Sequence, residues 1–262
     1  MSAKGGQGMS VELGTTVGRG RLVAFRVLAG IGGALLTVSS IAFAISSFVN
    51  EDERMHVVHN IAGICGFVLL MGVPLLLLAW RPRQVALLRL LVAGMLASLI
   101  GGLMSGDFFA GYAIPFVWIA VVIALAPDRD ELARIGSPNL LLLAVPVVGV
   151  IPAMVYGARM ADLQHGPAAD PHVKLHHWSG MAVTAILLVL TAAVSSIPGR
   201  AVRTARLLTG FAGTVLAIGY LAFPDKPGSV DTVWAVALFI ASVVYIALSE
   251  VVSSAGAKEV EG

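Results

Sequence analysis

Read for hydrophobic and polar positions alone, the chain is a succession of long apolar blocks separated by short polar breaks. Eight blocks run at about 24–49, 57–80, 87–105, 109–126, 139–159, 174–197, 205–223 and 231–249. They lack the polar stripe of a surface helix, and most approach the ~20 residues a helix needs to cross a bilayer. The pattern predicts an all-α integral membrane protein with eight transmembrane helices. The shortest breaks, near 82–87 and 105–109, predict tight hairpins. Residues 1–20 are polar and glycine-rich, without an apolar core or a small-residue cleavage site, and predict a disordered cytoplasmic tail. Residues 251–262 predict a second one.

Composition agrees with this class. Hydrophobic residues make up 58% of the chain and charged residues 12%, far from the balance of a soluble domain. The one cysteine, Cys65, lies inside an apolar block, so no intramolecular disulfide forms. Charge placement then fixes orientation. With eight helices and both termini inside, thirteen of the seventeen Lys and Arg residues fall on the cytoplasmic side. Only Arg54, Arg159, Lys174 and Lys226 fall on the other. One missed or extra helix would scramble that bias. The expected location is the plasma membrane, multi-pass, as in a bacterial inner membrane. The expected partners are the lipid bilayer and, for an assembly role, partner membrane subunits; no nucleic acid is expected.

The same topology collects all six histidines, His56, His59, His165, His172, His176 and His177, on the extracytoplasmic side with eight of the fifteen acids. A shift of 117 residues then reveals an internal repeat. It lays His59 on His176, Gly63 on Gly180, Arg83 on Arg200, Arg89 on Arg206 and Gly102 on Gly219. A one-residue adjustment adds Asp107 on Asp225 and Trp118 on Trp234. Leucine matches mean little in apolar sequence, but His, Gly, Arg, Asp and Trp recur in one order. The chain divides accordingly into 1–20, a four-helix repeat at 21–134, a second at 135–250, and 251–262. An even helix count gives both repeats the same orientation.

Each repeat then carries a histidine at a helix mouth, a glycine one turn deeper and an acid after the next helix. Asp170-Pro171 reads as an N-cap with proline at the first helical position, which puts His172 and His176 four apart on one helix face. Ionisable groups near a bilayer boundary are costly enough to suggest function. Three readings stay open. His59, His176 and His172 with Asp107 and Asp225 bind zinc or another transition metal. Alternatively, His59 and His176 are the axial ligands of a haem. Finally, the groups are interfacial, capping helices and meeting headgroups. The arginines read as topology and headgroup anchors, and Trp80 and Trp178 as an aromatic belt. Walker A, G-x-G-x-x-G, CxxC and G-x-S-x-G motifs do not occur.

Two resemblances bear on function. Helix-borne histidines with an aspartate are similar to the intramembrane zinc hydrolases of the ceramidase and progestin-receptor type, which implies a metal-bound water attacking a lipid amide or ester. The helix count differs from theirs, and their serine motif has no counterpart here. The run from His59 through Pro74-Leu75-Leu76-Leu77-Leu78-Ala79-Trp80-Arg81 to Arg89, with Phe223-Pro224-Asp225, resembles bacterial polytopic membrane proteins of a domain-of-unknown-function class. That resemblance implies a fold and no activity. The expected function is a polytopic membrane protein whose extracytoplasmic His/Asp site binds a metal or small polar ligand. The alternatives are a scaffold or transporter-associated subunit, a zinc hydrolase and a small-molecule transporter.

Overall fold

A computed structural model of the chain describes residues 18–107 and 110–261. The tail expected at 1–20 lies outside the described residues as far as residue 17, and Arg19 already opens the first helix. Helix α1 is Arg19–Val49. Helix α2, Glu51–Trp80, is one continuous rod of changing pitch. It opens with a 3-10 turn at Glu51–His56, is α-helical at Val57–Gly63, widens to a π-helix at Ile64–Gly72, and tightens again at Val73–Trp80. Then follow α3 (Val85–Ser105), α4 (Ala110–Leu125), α5 (Leu140–Gln164), α6 (His177–Ser195), α7 (Val202–Ala222) and α8 (Thr232–Glu261). The last of these continues as helix as far as Glu261, into the segment expected as a tail at 251–262.

Among the described residues, seven helices, all but α4, are long and apolar enough to cross a membrane, and α4 contributes a shorter apolar helix at Ala113–Leu125. The chain is thus a multi-pass, all-helical membrane-type protein. Its outer surface fits that class. Leu35, Val38, Phe43, Val148, Ile151, Val155 and Val233 are large, apolar and exposed along whole helix faces. Aqueous surfaces do not carry such patches, whereas lipid solvates them.

Helices α2, α3, α6 and α7 form the inner layer, while α1, α5 and α8 show most of their length to the surroundings. Inside the layer, α3 packs on α6 and α7 packs on α2. At the flanks, α1 packs on α2 and α4, and α5 and α8 pack on each other and on α6 and α7 respectively. Small residues set the closest crossings, as membrane helices require. A Cβ on Gly72 would lie 2.7 Å from Thr37 Oγ1, and one on Gly101 would lie 2.5 Å from Val183 Cγ2.

The inner helices end in caps dictated by local sequence. Gly106 adopts φ +62°, closing α3 and letting the Asp107 amide donate to Gly102 O at 3.1 Å. At the opposite end of the bundle, buried arginines satisfy loose carbonyls. Arg89 donates to Pro198 O (2.8 Å) and Arg134 O (2.9 Å), and Arg206 donates to Ser195 O (2.9 Å). Arg200 pairs with Asp128 and Glu131. These bonds tie the α4–α5 connection to the end of α6 and fix that face of the bundle.

Candidate metal centre

The mouth of the bundle formed by the starts of α2 and α6 and the end of α5 holds the histidines. On α2, Asn50 Oδ1 accepts the Asp52 amide at 3.1 Å and starts the 3-10 turn. That turn brings His56 and His59, three residues apart, into edge contact with ring centroids 6.3 Å apart. Facing them, Asp170 caps a single turn, Pro171–Lys174, as its sequence requires. Its carboxylate accepts the His172 amide at 2.9 Å and lies 3.0 Å from His172 Nδ1.

The turn does not continue. The expectation that His172 and His176 share one helix face fails at Leu175–His176, where His176 takes φ +57° and becomes the cap of α6. Such a conformation is costly for a non-glycine residue and is held here by bonding. His176 Nδ1 lies 2.5 Å from Asp107 Oδ2, and Ser179 Oγ donates to the same oxygen at 2.7 Å. The Ser179 amide donates to Gln164 Oε1 (3.3 Å), and Gln164 Nε2 donates to Val173 O (2.9 Å). The ends of α3 and α5 and the start of α6 are thereby locked together.

The break swings His177 back towards His172. Four imidazoles then form a closed ring of contacts. Centroid distances are 4.6 Å for His56–His172, 4.8 Å for His172–His59, 5.1 Å for His59–His177 and 4.6 Å for His177–His56. The two diagonals are 6.3 Å and 6.0 Å, so the ring is puckered towards a tetrahedron. Trp178 stacks on His172 at 4.9 Å and meets His59 edge-on at 4.8 Å. Above His59 lies Gly228, φ +82°, whose absent Cβ would fall 3.3 Å from His59 Nε2. The Gly228 carbonyl accepts from the Tyr156 hydroxyl at 2.6 Å.

Burial of the three central rings is nearly complete: His56, His59 and His172 are 4%, 6% and 3% exposed. Yet His56 Nδ1, both nitrogens of His59, His172 Nε2 and His177 Nδ1 are buried without a hydrogen-bond partner among the described residues. Each such group costs about 1–3 kcal/mol if nothing satisfies it. One nitrogen each from His56, His59 and His172 lie within 4.8 Å of one another. An ion equidistant from three atoms 4.8 Å apart sits about 2.8 Å from each, so roughly 0.7 Å of inward movement per ring gives zinc–imidazole bonds of ~2.0–2.1 Å. The donor set is all imidazole, which suits zinc, copper or nickel. Asp170 on His172 Nδ1 leaves Nε2 as the ligand atom, the usual outer support of a metal-bound histidine. A haem fits poorly, because neighbouring imidazoles and Trp178 fill the space a macrocycle would need.

Of the residues expected from sequence, His59 and His172 meet in this cluster. His176 and Asp107 bond each other beside it, in the network that shapes the start of α6. Asp225 is exposed in the turn after α7, with no hydrogen bond or ion pair to a histidine among the described residues. Gly63, expected to admit a close helix, has only Phe67 Cδ2 at 4.0 Å from where its Cβ would be. His56 and His177 complete the cluster and were absent from the expected ligand set. The spacing His56-x-x-His59 at a helix start signalled the first. Nothing local signalled the second, because its direction depends on the break at His176.

No family model matches the chain, and no curated protein or solved structure matches it.

Proposed function

We propose that the chain is a membrane-embedded transition-metal-binding protein whose metal is held by His56, His59 and His172, with His177 as the fourth imidazole. The observation that carries this reading is the set of buried, unpartnered ring nitrogens that converge from two separate helix starts. Buried polar groups are normally paired, and a bound cation would pair these at once.

The burial of the rings also favours one role for the metal. Catalytic zinc keeps a position open to water and substrate, whereas a structural or carried metal is enclosed by protein ligands. Here Trp178 and Gly228 cover the imidazoles. The nearby cavity of about 270 Å³, lined by Ser47, Phe48, Arg54, Val57, Phe223 and Lys226, has no histidine in its wall. Metal holding therefore fits better than lipid hydrolysis.

The same proposal includes eight membrane crossings in two four-helix repeats, with both termini in the cytoplasm of a plasma-membrane protein. The packing supports it. α3 lies on α6 as α7 lies on α2, and α1 lies on α2 and α4 as α5 lies on α6 and α8. The repeated Arg89 and Arg206 are both buried at one end of the bundle, each bonded to a carbonyl at the end of α6 or just after it.

Metal analysis of the purified protein tests the reading. Wild-type protein reconstituted with zinc or copper and freed of excess is expected to retain about one ion per chain. His56→Ala/His172→Ala is expected to lose it while keeping its helical spectrum. Equal retention by a folded double variant would exclude this site, and no retention by wild type would leave a scaffold.

A further inference from the structure

We propose a second binding site at the opposite end of the bundle, for the phosphate-bearing headgroup of an anionic phospholipid. It does not depend on the metal reading. A cavity of about 550 Å³ lies between the first turns of α1, the α2–α3 hairpin and Pro127, two residues after α4. Its charged lining is Arg26, Arg81 and Arg83, with Gln84 beside them and no acid among the described residues of the wall.

These three arginines differ from others at the same end. Arg21, Arg89 and Arg206 are spent on backbone carbonyls, and Arg200 and Arg203 on carboxylates. Arg26, Arg81 and Arg83 make no ion pair or side-chain hydrogen bond among the described residues, although all three face one concavity. Arg81 is held over the Trp80 ring, its guanidinium carbon 4.5 Å from the centroid, which orders the cation while leaving its donors free. Pro82, between Arg81 and Arg83, restricts the hairpin that carries both.

Three guanidiniums lining one concavity, without a side-chain partner among the described residues, suit an anion and can match phosphate oxygens in pairs. The rest of the wall identifies the anion's carrier. Leu22, Trp80 and Pro127 supply an apolar side. Trp80 is 69% exposed at the end of an apolar helix, the depth at which an indole marks the headgroup layer. A headgroup phosphate meets the guanidiniums while its glycerol lies along this apolar side. Diffuse headgroup attraction would involve every basic residue of the face; this cavity gathers three of them around one phosphate.

Native mass spectrometry of the full-length protein, released from bilayers of phosphatidylglycerol and phosphatidylcholine, tests the assignment. One phosphatidylglycerol is expected to stay bound per chain. Arg26→Gln/Arg81→Gln/Arg83→Gln is expected to lower that occupancy at least about tenfold. Arg19→Gln/Arg134→Gln, which removes exposed charge from the same face, is expected to leave it unchanged. Trp80→Leu, which spares all three charges, is expected to weaken retention severalfold and covers the case of a triple variant that does not fold. Equal loss in both arginine variants, or undiminished retention in the folded triple variant, would overturn the site. Displacement of the lipid by millimolar inorganic phosphate would overturn the lipid assignment and make free phosphate the ligand.

Discussion

His172 shows how one residue of a single helical turn, outside the long helices, organises the cluster. Its Nδ1 faces Asp170 Oδ1 at 3.0 Å and its Nε2 is buried among the other rings without a partner. Asp170 therefore has two separable tasks: it caps the turn and it orients a ligand. Burial alone would raise its carboxyl, but hydrogen bonds from the His172 amide and ring outweigh that and hold it below the usual carboxylate range. A carboxyl depressed in the folded state stabilises the fold when ionised. That contribution is fully present above the unfolded value, about 4, and is lost as pH falls through the lower folded value. Asp170→Ala is expected to cost about 1 kcal/mol through the lost cap and to weaken metal binding by about 10–100-fold. Asp170→Asn keeps a cap, and is expected to retain neutral-pH stability while flattening the acid limb of the metal-free protein. Metal titration and unfolding across pH check both, and an Asp170→Ala protein with wild-type metal affinity would remove the orienting role.

Helices were legible in the sequence because a bilayer demands long apolar runs, and nothing else in a chain of this composition produces them. The block at 57–80 falls within α2, which starts six residues earlier at Glu51, and the block at 205–223 overlaps α7, Val202–Ala222. The break at His176 was not legible. Its left-handed conformation depends on Asp107, 69 residues earlier, and without it His172 and His176 would share a face as their spacing suggested. One of the four imidazoles, His177, turned on that one bend. Glycine placement divides in a similar way. Gly63 was legible as a small residue near a histidine, yet its surroundings are open. Gly101 attracted no notice, yet a Cβ there would lie 2.5 Å from Val183 Cγ2 and 3.2 Å from Val183 Cα. The second contact is backbone and cannot rotate away. Gly101→Val is expected to destabilise the α3–α6 pair by about 1–3 kcal/mol, whereas Gly63→Ala is expected to be neutral or slightly stabilising. Unfolding in mixed micelles measures both, and equal effects would show that the α3–α6 crossing yields.

For the whole molecule, the central question is which end faces which side, because the metal and lipid proposals place their ligands at opposite ends. The histidine end carries Arg54, Arg159, Lys174 and Lys226, while the other carries Arg19, Arg21, Arg26, Arg81, Arg83, Arg89, Arg129, Arg134, Arg200, Arg203 and Arg206. Insertion retains basic segments on the cytoplasmic side, so the proposed topology puts the arginine end there and turns the histidines outward. The proposed repeat makes the same demand, since two parallel four-helix units would share one orientation, and the hairpins around Arg83 and Arg200 lie at the same end. A cysteine scan tests the orientation on a background lacking Cys65, the only native thiol, which is buried. Lys174→Cys and Lys226→Cys are expected to react with a membrane-impermeant maleimide in intact cells. Arg83→Cys and Arg200→Cys are expected to react only after the membrane is opened. The reverse pattern would move the histidine cluster to the cytoplasm, where its metal would come from the intracellular pool. Labelling of one hairpin without the other would mean that the two units do not share an orientation, and the repeat would fall with it.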